Sequence, residues 1–251
     1  MKTYQALVHS GGPALWPEHK PLAEVLSLRD STPELDWEAT YQGNPTPAGG
    51  YTYRREWWEG KNRFAPDGRD LRGLVVARFQ SLDTAEEEGA SNAWTVDITA
   101  EILKDYRLAI RHVYRARMTF DMLPATIESM ARQWNGDGLL RQVIIEDKST
   151  GKSAVHTLRA TAPAWLRGMI YPFKPQGSKE TRAAAASVWC RNGMVLLPHP
   201  GEGAEWLLDF EDELFSFPQS AYMDQVDACS QLILYLENYL AEGWRARGGG
   251  R

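Results

Sequence analysis

Cysteine is nearly missing from this chain: Cys190 and Cys229 are the only two in 251 residues. Neither has a second Cys or a His at metal-ligand spacing, and both fall in stretches that read as helices, so they are expected to be buried thiols. Long apolar runs are missing too. None reaches the roughly 20 residues that a membrane span needs, and the opening Met1-Lys2-Thr3-Tyr4-Gln5 lacks the apolar core of a signal peptide, so a cytoplasmic location without membrane contact is expected. Basic charge is not in excess: 28 Lys and Arg against 33 Asp and Glu give a net charge of -5 and a pI near 5.6. That balance excludes a protein that coats nucleic acid by bulk charge, and leaves room for a local basic stripe. What remains, at 43% hydrophobic and 24% charged residues, is an ordinary globular chain, long enough for a large core or a core with an appendage.

Regular periodicity is absent from residues 1 to about 70. Pro13, Pro17, Pro21, Pro33, Pro45, Pro47 and Pro66, with Gly11-Gly12 and Gly49-Gly50, interrupt every long pattern. Only a short helix fits, between Lys20 and Leu28. Yet Tyr4, Trp16, Trp37, Tyr41, Tyr51, Tyr53, Trp57 and Trp58 carry too much apolar area for a free linker. Residues 1–70 are therefore expected to be an aromatic- and proline-rich arm or interdomain junction, lying along this chain's own core or along a neighbouring domain.

From Gly73 the pattern is regular. Leu74 to Ala85 reads as a buried strand in which Val75, Ala77, Phe79, Ser81 and Asp83 share one face, so that a carboxylate closes an apolar row. A carboxylate there needs a partner. A backbone N–H or an arginine is the plain one, and acids further along the chain offer another reading. The polar turn Glu86–Asn92 leads to a second strand, Ala93–Ile102, which alternates Trp94, Val96 and Ile98 against Thr95, Asp97 and Thr99. Its short connection makes it antiparallel to the first. After Lys104-Asp105 a third strand, Tyr106–Met118, sets Arg107, Arg111, Arg115 and Arg117 on one face. On an edge strand such a row either discourages aggregation or contacts phosphate.

Pro124 opens a helix to Trp134, and Gly136-Asp137-Gly138 ends it. Leu139–Ile145 is a fourth strand, ending in Glu146-Asp147. Joined through a helix, it can cross over and lie parallel beside the first, which sets Glu146 next to Asp83, where ligand sites in such sheets gather. Lys148-Ser149-Thr150-Gly151-Lys152-Ser153 imitates a phosphate loop, but that motif needs a glycine where this chain has Glu146. An ATP site is rejected here. Gly151 instead lets the strand turn into a helix, Lys152–Thr161, and Lys148 and Lys152 are either solvated or face phosphate. A short fifth strand, Met169–Tyr171, follows. Ser178 caps a helix that runs to Asn192-Gly193, Met194–Pro198 is a short strand, and Glu205–Phe215 is a helix closed by Phe217-Pro218. The last helix begins near Tyr222, with Val226, Cys229, Leu232, Ile233, Leu236 and Leu240 as its apolar face. Asp224 and Asp227 stand one turn apart at its head, where the ordinary roles are N-cap and first-turn acid. The Arg- and Gly-rich tail, 244–251, reads as disordered.

The expected fold is α/β: a mixed sheet over residues 71–243, strands one to three antiparallel, strands four and five parallel to strand one, flanked by helices. Acids at the ends of strands one and four and at the head of a late helix are the layout of a ribonuclease H-like nuclease. Carboxylates gathered in that way raise one another's pKa unless cations are present, and an all-oxygen site favours Mg²⁺ or Mn²⁺. Two ions roughly 3.5–4 Å apart would activate water and stabilise the leaving oxygen of a phosphodiester.

Several segments together carry a family resemblance: Tyr41-Gln42-Gly43-Asn44-Pro45 before Glu56-Trp57-Trp58, Ser81-Leu82-Asp83-Thr84-Ala85, Ile145-Glu146-Asp147-Lys148 with Gly151, Lys179-Glu180-Thr181-Arg182-Ala183, Val195-Leu196-Leu197-Pro198, and Phe217-Pro218 before Met223-Asp224-Gln225-Val226-Asp227-Ala228. In that order they resemble the nuclease domain of the large terminase subunit of tailed bacteriophages. The resemblance implies a DNA endonuclease with two Mg²⁺ or Mn²⁺ ions on Asp83, Glu146 and Asp224 or Asp227. That family often has paired aspartates where this chain has Met223-Asp224, which leaves the third ligand between the two. Lys148, Lys152, Lys179, Arg182, Arg115 and Arg117 are the candidate DNA contacts. The implied partners are duplex DNA, the small terminase subunit, the portal protein, further copies of the chain, and an ATPase domain on the same protein or a separate chain, all in the host cytoplasm. A resolvase or transposase core, and a non-catalytic docking module of the motor, remain alternatives.

Overall fold

The computed structural model of the chain describes residues 14–41, 52–84 and 94–246. Its elements run α1 (Leu22–Ser31), α2 (Glu34–Thr40), β1 (Arg63–Phe64), β2 (Val75–Asp83), β3 (Thr95–Leu103), β4 (Leu108–Ala116), α3 (Leu123–Gln133), β5 (Leu140–Glu146), α4 (Ser149–Thr161), α5 (Ala164–Arg167), β6 (Ile170–Phe173), α6 (Lys179–Arg191), β7 (Val195–Pro198), α7 (Leu207–Ser216) and α8 (Asp224–Ala246). The seven strands form one mixed sheet in the order β1-β7-β4-β3-β2-β5-β6. The expected meander is β2-β3-β4, antiparallel throughout, with β5 parallel beside β2 and β6 parallel beside β5.

Strand periodicity sorts the side chains into two layers. Phe79, Val96, Ile98, Ile110 and Ile144 are buried with Ala183 of α6, Phe210 of α7 and Leu232 of α8. Leu82, Val143 and Ile145 point the other way and pack with Leu123 and Ile127 of α3 and Val155 and Leu158 of α4. Each large apolar side chain buried like this contributes about 1.5–3 kcal/mol. Cys190 and Cys229 are free and buried, and the Thr181 N–H donates to Ser178 Oγ at 3.2 Å as the cap of α6. Among the described residues no helix is long and apolar enough to cross a membrane.

The third strand of the meander, expected at an edge, is interior. β7 pairs in parallel with β4, Leu108 opposite Val195 and Ala109 opposite Leu196, and β1 lies beyond β7. The expected arginine row is also broken. Thr99 faces His112 while Ala100 faces Ile110, which leaves Arg111 as the extra residue of a bulge and reverses the alternation there. Arg111 Nε lies 3.2 Å from Glu101 Oε2, and Arg107 pairs with Asp105 at 2.8 Å. Arg115 and Arg117 lie over the ring of Trp94.

Part of the aromatic arm belongs to the core. Tyr53, Trp57 and Trp58 are buried. Trp58 Nε1 donates to the Val195 carbonyl at 2.9 Å, and the Tyr53 hydroxyl donates to the Ala183 carbonyl at 3.1 Å. α1 and α2 enclose a separate small cluster of Ala14, Val25 and Trp37. It is tied to the end of α6, where Arg191 donates to the Arg29 carbonyl and Asn192 Nδ2 to that of Asp30 at 2.9 Å. Tyr4, Tyr51, the Gly-Gly pairs and the Glu86–Asn92 turn lie outside the described residues. α8 continues to Ala246, past the expected start of the tail, and 247–251 also lie outside.

A further buried acid lies in mid-strand. Asp97, in the middle of β3, is 2% exposed; Gln80 Nε2 donates to its Oδ2 at 3.3 Å and its Oδ1 has no partner. Burial pushes its carboxyl up to about 8.

Candidate active site

Asp83 closes β2 on the face that meets α8, and α8 fixes it there. Ser81 Oγ donates to the Ala228 carbonyl at 2.9 Å, and Gln231 Nε2 donates to Ser81 Oγ at 3.0 Å and to the Leu82 carbonyl at 3.1 Å. β5 runs beside β2 with Ile145 opposite Leu82, which brings Glu146 level with Asp83. The turn out of β5 depends on Gly151, since a Cβ there would lie 2.1 Å from the Glu146 carbonyl oxygen. Gly151→Ala is therefore expected to destabilise the protein by about 1–3 kcal/mol, as overpacking against fixed backbone does. Urea unfolding checks this.

α8 brings the remaining acids, and its head is held by a residue that sequence reasoning missed. Glu213 of α7 accepts from the backbone N–H groups of Gln225 and Val226 at 2.7 and 3.1 Å and from Gln225 Nε2 at 2.9 Å. Helix N-termini leave such donors unpaired, and a side chain from another element satisfies them here. Glu213→Ala should cost about 1–3 kcal/mol in urea unfolding, the range for buried donors left unsatisfied. Glu213→Gln, which keeps an acceptor, should cost less.

Asp83, Glu146 and Asp227 are buried, and the Asp224 side chain is 27% exposed. Lys179, the first residue of α6, reaches into the cluster: its Nζ lies 3.8 Å from Asp83 Oδ2, 3.6 Å from Asp224 Oδ1 and 3.2 Å from Asp227 Oδ2. Arg182, one turn on, pairs with Asp227 Oδ1 and donates to the Gly177 carbonyl at 3.2 Å. Lys148 Nζ lies 2.8 Å from Glu146 Oε1, without hydrogen-bonding alignment. Burial pushes the Asp83 carboxyl well above the usual range; Lys179 opposes this, and Asp227, Glu146 and Asp224 add to it. Burial also raises Asp224, against Lys179 and Arg115. For Lys179 burial acts downward, and Asp83, Asp227 and Asp224 outweigh it, so the ammonium holds its proton more tightly than an ordinary lysine.

Three carboxylate oxygens, Asp83 Oδ2, Glu146 Oε1 and Asp227 Oδ2, are buried without a hydrogen-bond donor. Among the described residues no three His, Cys, Asp or Glu side chains already stand as a metal-holding group. Of the expected DNA contacts, Lys152 is exposed on α4 and Arg117 is exposed. Arg182 is not: at 4% exposure it is spent on Asp227, because a buried carboxylate beside it needs a counter-charge. Arg115 is partly buried between the rings of Trp94 and Tyr222, 4.3 and 4.9 Å from their centroids. Those two aromatics and Gln231 carry no mark of these contacts in the sequence, because their partners are far along the chain, and Glu213 carries none although its partners are only 12 and 13 positions on.

Residues 80–236 match the sequence profile of the terminase RNaseH-like domain, a span that includes every acid of the cluster. The chain belongs to the terminase RNaseH-like domain family. Solved terminases share its fold. The large terminase of a thermophilic bacteriophage, in complex with ADP, superposes with a TM-score of 0.62 at 10% identity, over 84% of this chain and 51% of that one. This terminase domain thus spans about half the length of that protein. The large terminase nuclease of the thermophilic phage G20c, with bound magnesium, gives 0.51 at 15% identity over 75% and 98% of the two chains. The manganese-soaked human cytomegalovirus terminase nuclease domain gives 0.50 at 10% identity over 73% and 94%. No curated protein matches the chain.

Proposed function

We propose that this terminase domain is a divalent-metal-dependent endodeoxyribonuclease that cuts concatemeric viral duplex DNA during genome packaging. The supporting observation is the set of buried carboxylate oxygens of Asp83, Glu146 and Asp227 that lack a hydrogen-bond donor, at strand ends and a helix head of one sheet. Among the described residues the four acids pair only with Lys179, Arg182 and Lys148, so their full ionisation calls for further cations, and carboxylate donors suit Mg²⁺ or Mn²⁺ better than softer metals. Asp83, Glu146, Asp224 and Asp227 would hold two such ions, which supply when bound an activated water and charge stabilisation at the leaving oxygen.

The chain's own residues prepare the site. Ser81 and Gln231 tie the end of β2, just before Asp83, to α8, Glu213 fixes the head of α8, and Arg182 engages one oxygen of Asp227, leaving the other to the cluster. Lys148, Lys152, Arg115 and Arg117 provide positive charge for the phosphates of duplex DNA. Family membership supports the remaining partners: the small terminase subunit, the portal protein and an ATPase domain of the packaging motor, acting in the host cytoplasm. The test is a supercoiled plasmid incubated with the protein and Mn²⁺, with or without EDTA. Nicked and linear products are expected only when EDTA is absent; intact plasmid in both would reject the reading.

A further inference from the structure

We infer that Lys179 is the resting cation of the acid cluster, an ammonium that fills the space among the carboxylates and is displaced when a divalent ion binds. The inference rests on the metal reading of the site. One ammonium lies within 3.8 Å of oxygens from three separate acids, Asp83, Asp224 and Asp227. Of these, Asp83 Oδ2 and Asp227 Oδ2 are buried and have no hydrogen-bond donor. Lys179 faces them at 3.8 and 3.2 Å, and they become available when it leaves.

The two basic residues of this turn differ in their freedom to leave. Arg182 is 4% exposed and bound both to Asp227 and to the Gly177 carbonyl, so it stays. The Lys179 side chain is 31% exposed, and it sits at the very start of α6, just after the cap at Ser178. A long flexible side chain there can swing into solvent without disturbing the helix. A divalent ion on the same oxygens would repel the ammonium strongly at such distances, so the two occupy the cluster in turn. Metal uptake then competes with an internal charge, and the site holds its shape without metal.

The experiment is Mn²⁺ titration of the full chain, with free Mn²⁺ read by its paramagnetic resonance signal, for the wild type and Lys179→Gln. Removing one close like charge should tighten Mn²⁺ binding by about tenfold or more. In the wild type, reductive methylation of Lys179, read by peptide mass spectrometry, should be slow without Mn²⁺ and faster with it. This second measurement needs no variant. Equal or weaker affinity in Lys179→Gln, or Lys179 protection that Mn²⁺ leaves unchanged, would overturn the inference while the wild type's Mn²⁺ binding left the metal reading in place. No Mn²⁺ binding by either protein would overturn both.

Discussion

Plasmid cleavage by Asp83→Asn or Glu146→Gln protein is expected to fall by about a thousandfold or more, because on the proposed metal reading each change removes a charged ligand whose metal would contribute several kcal/mol to the transition state. Neither removes volume, so the fold should survive. Without metal, Asp83→Asn should melt at a higher temperature than the wild type at neutral pH. The folded carboxyl is raised by burial, so the folded protein binds more protons than the unfolded chain from the ordinary carboxylate range up to that raised value. Stability therefore declines as pH climbs through this window, and the ionised Asp83 is a burden above it. Asparagine cannot ionise. Circular dichroism melts and cleavage assays on the same preparations check both halves; an active Asp83→Asn protein would refute its place in the site.

Asp97→Asn is expected to produce a large pH-dependent change in stability. Burial pushes the Asp97 carboxyl up to about 8, again above its unfolded value. Between the ordinary carboxylate range and that value, wild-type stability should decline by about 1.4 kcal/mol per pH unit on account of this group. Above it the slope ends and the accumulated loss remains. Asp97→Asn removes the slope, and Gln80 Oε1, which has no partner, can accept from the new amide. The two proteins should melt almost together near pH 4 and separate by on the order of 10 °C near pH 9. Parallel melting curves across that range would show that Asp97 is not buried as a neutral acid.

The meander and its acids were legible because nine-residue strands such as Val75–Asp83 and Thr95–Leu103 show their period, and because a carboxylate at the end of an apolar row stands out. The far side of the sheet was not. β7 was itself legible as the short strand Met194–Pro198, but four residues do not announce a partner and β1 has only two, so nothing in the sequence said that β4 would be covered. The arginines misled for a related reason: one bulge residue, Arg111, breaks an alternation that looks continuous in sequence. Lys179 and Arg182 were legible as basic residues near the site. Their attachment to Asp227 was not, since it joins α6 to α8 across 48 positions for Lys179 and 45 for Arg182.

The short parallel strands at the far edge also set a clock. Trp58 donates to the Val195 carbonyl across 137 positions, and Arg63 to that of Pro198 across 135. At about 5–20 residues per second of synthesis, roughly seven to thirty seconds separate the emergence of the early aromatic segment from that of its partner strand. Throughout that interval Trp57, Trp58 and Phe64, all buried in the finished fold, have no β7 to cover them. A translation pause placed before Val195 should therefore lower the soluble yield, and an unchanged yield would show that the waiting segment is not exposed.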